Sequence, residues 1–322
     1  MTDPKTLVQE QLAHSNWGLL GTQGYVLGVD LGSYGLRVAL IDLHSRTYRS
    51  VSAETPDNIP QQIMERAIDL ARQLLTESGV APDRLVRIGV GFGGPVDPQH
   101  GVIRLSTRVP GWENFPVQEQ FEQAFDTVTL LENDANLIAL AEATFGIGRG
   151  CDHLFYMHLS SGVGGGMVVN GQLYHGATAM AGEIGHVIIG YGWDGVSKPS
   201  TLEEMVSIQG LMRRAHTLGL STNNLDDIFG AHPIAQQVVS ETVNLLAMRM
   251  AQIVALLDPR TIVLGGVVVR IGGDRFVQAI AQQMQQFILP RFARPVEVVP
   301  SLLGFESVVI GALAMALKSL QE

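Results

Sequence analysis

One carboxylate of this chain, Asp134, lies where an apolar stretch gives way to an alanine-rich one. The sequence around it is LLENDANLIALAE, in which residues 128–132 predict a strand and residues 135–144 predict a helix. An aspartate at such a point is commonly the N-cap of the helix. A carboxylate held at a strand end in a cleft can equally accept a hydroxyl proton, as a general base does. The local sequence favours the cap slightly and leaves both functions open.

The segment LSSGVGGG combines hydroxyl side chains with closely spaced glycines. Backbone without side chains lets N–H groups approach an anion closely, which a merely tight turn does not require. We therefore favour a phosphate-binding turn over a flexible hairpin. The segment contributes Ser160, Ser161, Gly162, Gly164, Gly165 and Gly166.

Two further turns are rich in glycine. In GVDLGSYG, Asp30 ends a predicted strand, and Gly32 and Gly35 allow a tight turn. Such a turn can hold phosphate while the acid organises a hydrated Mg²⁺, although an ordinary β-hairpin with a capping aspartate has the same pattern. In TIVLGGVV, Gly265 and Gly266 could lie against a nucleotide, and close packing of a strand on a helix would explain them equally well.

Acidic and imidazole side chains follow the glycine segment. Glu183 and His186 in AGEIGH are spaced so that they could hydrogen-bond neighbouring sugar hydroxyls. A structural histidine bonded to a carbonyl is an equally good explanation, and companion cysteines for a metal site are missing. Glu203, in TLEE, would by itself be the favourable acidic first turn of a helix.

Composition limits the class of protein. The chain has 322 residues, of which 46% are hydrophobic and 16% charged, so we expect a core-rich fold of two domains. A net charge of −10 disfavours a nucleic-acid partner. The N-terminus does not resemble a signal peptide and no apolar run is long enough for a membrane span, so we expect a cytoplasmic protein with no membrane partner. The single cysteine, Cys151, excludes an internal disulfide and a multi-cysteine metal site.

Strands that alternate with helices predict an α/β protein with helix-covered sheets. We expect an N-terminal segment at 1–24, which is too short for a DNA-reading domain. A small domain at 25–125, completed by the C-terminal helix 307–322, and a large domain at 126–306 should follow. The predicted strands are 25–32, 36–43, 87–92, 128–132, 154–159, 166–169, 261–266 and 296–299. The predicted helices are 4–14, 60–78, 135–144, 235–257, 275–287 and 307–320.

The ordered set of motifs resembles the ROK family of sugar kinases and repressors, within the actin/hexokinase-like superfamily. The resemblance extends from Tyr25 to Leu320. The motifs that carry it are GVDLGS, GVGFGGPVDPQHGVI, VPGWENFPV, LLENDANLIALAE, FGIGRG, LSSGVGGGMVVNGQLYHGATAMAGEIGH, TLEEMVS and TIVLGGVV. It implies two ribonuclease-H-like domains with an interdomain cleft, a hexose substrate, ATP and Mg²⁺.

The resemblance also implies a role for each matching residue. Asp134 matches the catalytic base that deprotonates the sugar hydroxyl. The matching sugar ligands are Asn133, Glu183, His186 and Glu203. The residues matching nucleotide or phosphate positions are Asp30, Gly32, Ser33, Ser161, Gly162, Gly164, Gly165, Gly265 and Gly266.

Three positions depart from the family pattern. Ser33 and Tyr34 replace residues of the usual first phosphate motif, and Arg108 replaces an asparagine before the PGW motif. The cysteine-rich zinc segment expected after GEIGH is replaced by VIIGYGWDGVSKPST, so we expect no zinc. We expect a homodimeric, ATP-dependent, glucokinase-like hexose kinase. The alternative is a sugar-binding regulatory protein with weak or no catalysis, which the lost zinc motif and altered phosphate motif favour and the retained Asp134 opposes.

Overall fold

The computed structural model describes residues 3–14, 23–32, 35–55, 59–106, 110–191, 199–289 and 295–321. The chain divides into two compact units. Unit 1 comprises Met1–Arg149, His175–Ala181 and Leu302–Glu322, and unit 2 comprises Gly150–Tyr174 and Gly182–Ser301.

Strands and helices are mixed along the chain, as the α/β prediction expects. The strands are β1 (Tyr25–Gly32), β2 (Gly35–Asp42), β3 (Tyr48–Ala53), β4 (Leu85–Phe92), β5 (Val96–Asp97), β6 (Val102–Ile103), β7 (Thr129–Asn133), β8 (His153–Leu159), β9 (Val163–Val169), β10 (Gln172–Leu173), β11 (Ile188–Tyr191), β12 (Pro199–Thr201), β13 (Thr261–Gly265) and β14 (Glu297–Pro300). The helices are α1 (Pro4–His14), α2 (Pro60–Glu77), α3 (Val117–Phe125), α4 (Asp134–Thr144), α5 (Leu202–Val206), α6 (Ile208–Thr217), α7 (Leu225–Ile228), α8 (Pro233–Leu257), α9 (Val267–Phe287) and α10 (Ser307–Lys318).

Unit 1 is built on a five-stranded sheet in the order β3-β2-β1-β4-β7. The strands β1, β2 and β3 form an antiparallel meander, whereas β4 and β7 run parallel to β1. Helix α10 packs closely on this sheet. The approach is so close that a β-carbon at Gly89 of β4 would lie 2.1 Å from the Ala312 carbonyl oxygen. The apolar face of α2 packs with buried strand residues in a continuous hydrophobic core.

The boundary of unit 1 differs from the expected domain boundary near residue 125. The strand β7 pairs in parallel with β4, so β7 and the following α4 extend the first sheet instead of opening a second domain. The sequence around Asp134 therefore belongs to the same unit as the turn at Asp30. The residues of α10 also belong to unit 1.

Unit 2 contains a second five-stranded sheet, in the order β10-β9-β8-β13-β14. The antiparallel hairpin β8–β9 carries the glycine segment at its turn, and β13 runs parallel to both β8 and β14. Helices α8 and α9 pack against each other. By length and composition α8 could cross a membrane, but half of its most apolar stretch is buried inside the protein, as is typical of core helices.

Candidate active site

The N-cap of α4 is Asn133, so the interpretation of Asp134 as the cap is wrong. Asn133 has an extended backbone, and its Oδ1 accepts hydrogen bonds from the backbone nitrogens of Ala135 at 2.9 Å and Asn136 at 3.3 Å. Its Nδ2 donates to the Gly94 carbonyl at 3.0 Å, which ties the start of the helix to the loop after β4. The asparagine has all the features of a strong cap.

Asp134 is the first residue of α4, and its half-buried carboxylate lies beside the loop that follows β4. Its Oδ1 accepts from the Ala135 nitrogen at 2.7 Å. Its Oδ2 faces Gly93, where a β-carbon would lie 3.1 Å away. The first turn of a helix is a place where a negatively charged side chain is favourable. A carboxylate held at such a position can also accept a proton.

Asp30 is buried near the end of β1 and forms an ion pair with Arg37 of β2, with 3.3 Å between Oδ2 and Nη1. Burial raises the pKa of Asp30 to about 7 because the desolvated carboxylate loses its hydration. The Arg37 guanidinium opposes this shift, whereas the negative charges of Asp134 and Glu306 add to it. Asp30 and Asp134 therefore interact electrostatically in unit 1.

The Asp30 carboxylate is a ligand of the kind that a hydrated magnesium ion takes. Mg²⁺ prefers oxygen ligands and usually needs only one or two protein carboxylates, because water and phosphate oxygens complete its shell. A divalent cation would also stabilise the ionised form of Asp30. Gly32 lies at the end of β1, where a β-carbon would be 2.8 Å from Asp30 Oδ1, so the turn leaves this carboxylate uncrowded. Ser33 and Tyr34 lie outside the described residues, as does Arg108.

A second buried carboxylate, Glu132, stands directly before the Asn133–Asp134 pair. Its Oε1 accepts from the Asn133 nitrogen at 2.8 Å and from Asn136 Nδ2 at 3.0 Å. Its Oε2 accepts from His175 Nε2 at 2.6 Å. This hydrogen bond raises the pKa of His175, against the opposing effect of partial burial. Neither residue can be identified as functional from the sequence, because a pairing across 43 residues leaves no local pattern.

In unit 2, the glycine segment forms the turn between β8 and β9. The Ser160 nitrogen donates to the Gly162 carbonyl at 2.9 Å, and Gly164 and Gly165 lie in β9. The Ser160 hydroxyl is buried and has no hydrogen-bond partner within the described part of the chain. A buried donor without a partner fits a ligand oxygen, such as that of a phosphate. Ser161 and Gly162 complete the turn and are half-buried.

The AGEIGH segment packs directly on the same hairpin. A β-carbon at Gly185 would meet the Val163 carbonyl at 2.1 Å, and one at Gly182 would meet the Gly165 carbonyl at 2.3 Å. This close approach explains both glycines. The segment brings its own acidic and imidazole groups together, with Glu183 Oε2 3.6 Å from His186 Nε2.

Glu203 is anchored to the hairpin as well. Its Oε2 accepts from the Val163 nitrogen at 2.8 Å, and it lies in the first turn of α5, which begins with a capping box between Thr201 and Glu204. The structure therefore places Glu183, His186 and Glu203 around one glycine hairpin. The sequence could predict the acidic first turn, but not the hydrogen bond that reaches back to residue 163.

Gly265 and Gly266 have a packing role that the structure explains. The Tyr156 hydroxyl occupies the space beside Gly265, where a β-carbon would lie 2.4 Å from the oxygen. Gly266 has φ = 93° and is the N-cap of α9, where a β-carbon would meet the Leu159 carbonyl at 2.2 Å. Close packing on β8 accounts for both residues, and contact with a nucleotide stays a prediction.

Among the described residues, no group of three or more His, Cys, Asp or Glu side chains could hold a metal ion. Residues 192–198, in the segment that replaces the zinc motif, lie outside the described ranges. The absence of zinc therefore stays a prediction.

Two sheet-containing units with these strand orders are the architecture of the actin/hexokinase-like fold. The solved structure of the ROK hexokinase from Thermus thermophilus is similar to this protein, with a TM-score of 0.81 and 27% sequence identity. The match covers 92% of this chain and 99% of that one. The protein belongs to the ROK family, whose family model matches residues 26–319.

The similar proteins include kinases and regulators. A glucokinase from Thermotoga maritima is 26% identical, over 90% of this chain and 96% of the relative. A ROK glucokinase from Streptomyces griseus, solved in complex with glucose and AMPPNP, shares the fold at TM-score 0.74 and 21% identity, with 92% and 100% of the two chains covered. A xylose repressor from Bacillus spizizenii is 22% identical, over 92% of this chain and 77% of the repressor.

Proposed function

We propose that this protein is an ATP-dependent hexose kinase, glucokinase-like, with Asp134 as general base. The observation that carries the proposal is the local geometry at the start of α4. Asn133 is the N-cap, and the adjacent Asp134 carboxylate lies at the first residue of the helix with its Oδ2 facing Gly93 in the loop after β4. Similarity to a glucokinase over most of both chains supports the same function.

The proposed reaction transfers the γ-phosphoryl group of ATP to a sugar hydroxyl. The hydroxyl oxygen forms a bond to the γ-phosphorus, the bond from this phosphorus to the bridging oxygen breaks, and ADP leaves. The hydroxyl proton passes to a carboxylate oxygen of Asp134. Positioning and electrostatic stabilisation provide most of the rate enhancement in such reactions.

The remaining candidate residues have proposed binding roles. Asn133, Glu183, His186 and Glu203 would orient the sugar through its hydroxyl groups. Ser161 and the glycines Gly162, Gly164 and Gly165 would hold the phosphates through the hairpin turn. Asp30 would hold Mg²⁺ through its water shell, and the bound ion would neutralise charge on the phosphates.

A sugar-binding regulatory protein is the second candidate function. The similarity to a xylose repressor over 92% of this chain favours it. The two candidates differ in one property: a regulator binds its sugar without transferring phosphate. The expected homodimer and the expected cytoplasmic location are compatible with either function.

A panel of hexoses and pentoses, assayed with ATP and Mg²⁺ for ADP formation, tests the proposal. We expect turnover on at least one hexose, and we expect Asp134→Asn to abolish most of it. Calorimetric titration of the same sugars without nucleotide provides the comparison. Sugar binding without turnover on any member of the panel would replace the kinase by the regulator.

A further inference from the structure

His175 holds a buried carboxylate that is already engaged by the start of α4. Glu132 has only 3% of its side chain exposed, and its two carboxylate oxygens have different partners. Oε1 accepts from the Asn133 nitrogen and from Asn136 Nδ2, whereas Oε2 accepts from His175 Nε2. The carboxylate therefore joins His175 to the turn from which Asp134 projects.

The 2.6 Å distance between His175 Nε2 and Glu132 Oε2 is that of a short, charge-assisted hydrogen bond. The nitrogen donates this bond both as imidazolium and as the neutral Nε2–H tautomer. A buried carboxylate that loses its charged partner is strongly destabilised. Rearrangement of Glu132 would be transmitted to Asn133, because the same carboxylate accepts from the Asn133 nitrogen.

His175 also begins a short closed loop. The segment His175–Ala181 belongs to unit 1, although the residues on both sides of it belong to unit 2. The Ala181 nitrogen donates to the His175 carbonyl at 3.1 Å, which brings the two ends of the loop together. Glu183 follows this loop after one residue, and His186 follows three residues later. Holding His175 therefore restrains the point at which the chain enters the AGEIGH segment.

We propose that His175 is a positioning residue, which fixes the start of α4 through Glu132 and restrains the chain leading to Glu183. This inference rests on the proposed function for the identity of the ligand, a sugar. It adds a residue outside the proposed sugar and nucleotide ligands. The expected consequence is that sugar binding and the placement of the base depend on one hydrogen bond.

Two substitutions and one control test the proposal. His175→Ala removes the donor, whereas His175→Gln keeps an N–H donor at a reach similar to that of Nε2. His100→Ala is the matched control, because His100 is 74% exposed and pairs with Asp97 at 3.1 Å in the same unit. We expect His175→Ala to lower kcat/KM for the sugar by about 10- to 100-fold, the scale of a misplaced catalytic group. His175→Gln should recover most of this loss, and His100→Ala should equal the wild type.

A double-substitution cycle distinguishes positioning from general loss of stability. If His175 acts through Glu132, the loss in kcat/KM for His175→Ala combined with Glu132→Gln should be smaller than the product of the two single losses. Hydrogen exchange measured by mass spectrometry should be faster in His175→Ala both at residues 131–137 and at residues 182–187. Multiplicative losses, or exchange that changes in neither segment, would overturn the proposal.

The outcomes separate this inference from the proposed function. If the wild type turns over a sugar and His175→Ala has the same activity, the positioning role is overturned and the proposed kinase function still stands. If the wild type binds a sugar without turnover, the proposed kinase function is refuted, and sugar affinity then replaces kcat/KM as the measurement that tests His175. In that case His175→Ala should weaken sugar binding about 10-fold, and equal affinity would overturn the inference. If the wild type neither turns over nor binds any sugar in the panel, the exchange measurement decides alone.

Discussion

Removal of the Asn133 side chain tests how α4 is anchored. Asn133→Ala deletes the cap oxygen that accepts from Ala135 and Asn136, and a lost cap costs about 1 kcal/mol of unfolding free energy. It also deletes the donor to the Gly94 carbonyl, a hydrogen bond whose loss adds about 1 kcal/mol. We therefore expect unit 1 to lose about 2 kcal/mol. Asn133→Asp keeps the cap and loses only the donor, so we expect about half that cost.

Urea denaturation followed by circular dichroism gives the free energies, and hydrogen exchange at residues 134–144 assigns the loss to α4. The matched control is Asn224→Ala, which removes an asparagine N-cap from α7 in unit 2. The control should lose only the unfolding free energy that its own cap contributes, and hydrogen exchange in α4 should stay unchanged. If Asn133→Ala is as stable as the wild type, or destabilises α4 no more than the control does, Asn133 is not the anchor described here.

Two further predictions concern electrostatics and metal content. Because the pKa of Asp30 is raised, the folded protein holds a proton that the unfolded chain releases near pH 4. In metal-free protein, the free energy of unfolding of the wild type relative to Asp30→Asn should therefore be most favourable below about pH 4. This difference should fall by up to about 4 kcal/mol as the pH rises to about 7. Urea denaturation between pH 4 and 8 measures this, and a difference independent of pH would contradict it. Purified, untagged protein should carry no stoichiometric zinc, because Cys151 is the only cysteine and precedes the glycine hairpin. One tightly bound zinc per chain in elemental analysis would contradict that expectation.

The long elements could be predicted because their patterns are local. The helix at 4–14 and the strand at 25–32 coincide with α1 and β1. Gly273, with φ = 65°, interrupts the helical backbone of α9, so the helix predicted at 275–287 corresponds to the part after this kink, and the short part that begins at Val267 was missed. The strand β3 was missed because its residues are all exposed or half-buried and give no apolar stripe.

The site could be predicted only as far as local motifs extend. Asp134 was correctly placed next to a helix start, but the choice between Asn133 and Asp134 as the cap depends on backbone geometry that neighbouring residues of similar type do not reveal. The partners of the candidate residues lie far away along the chain. The bond from Glu203 to Val163 and the bond from His175 to Glu132 each span 40 residues or more, so only the folded chain shows them.

The most direct measurement of the central claim is the activity of Asp134→Asn. Because Asn133 supplies the cap and Asn is itself compatible with a helix start, we expect the unfolding free energy to stay within about 1 kcal/mol of the wild type. Sugar affinity measured by calorimetry should stay within an order of magnitude. Sugar-dependent ADP formation should fall by at least about 10²-fold, the scale expected for loss of a positioned base. Turnover equal to that of the wild type, with binding and stability intact, would show that Asp134 is not the base.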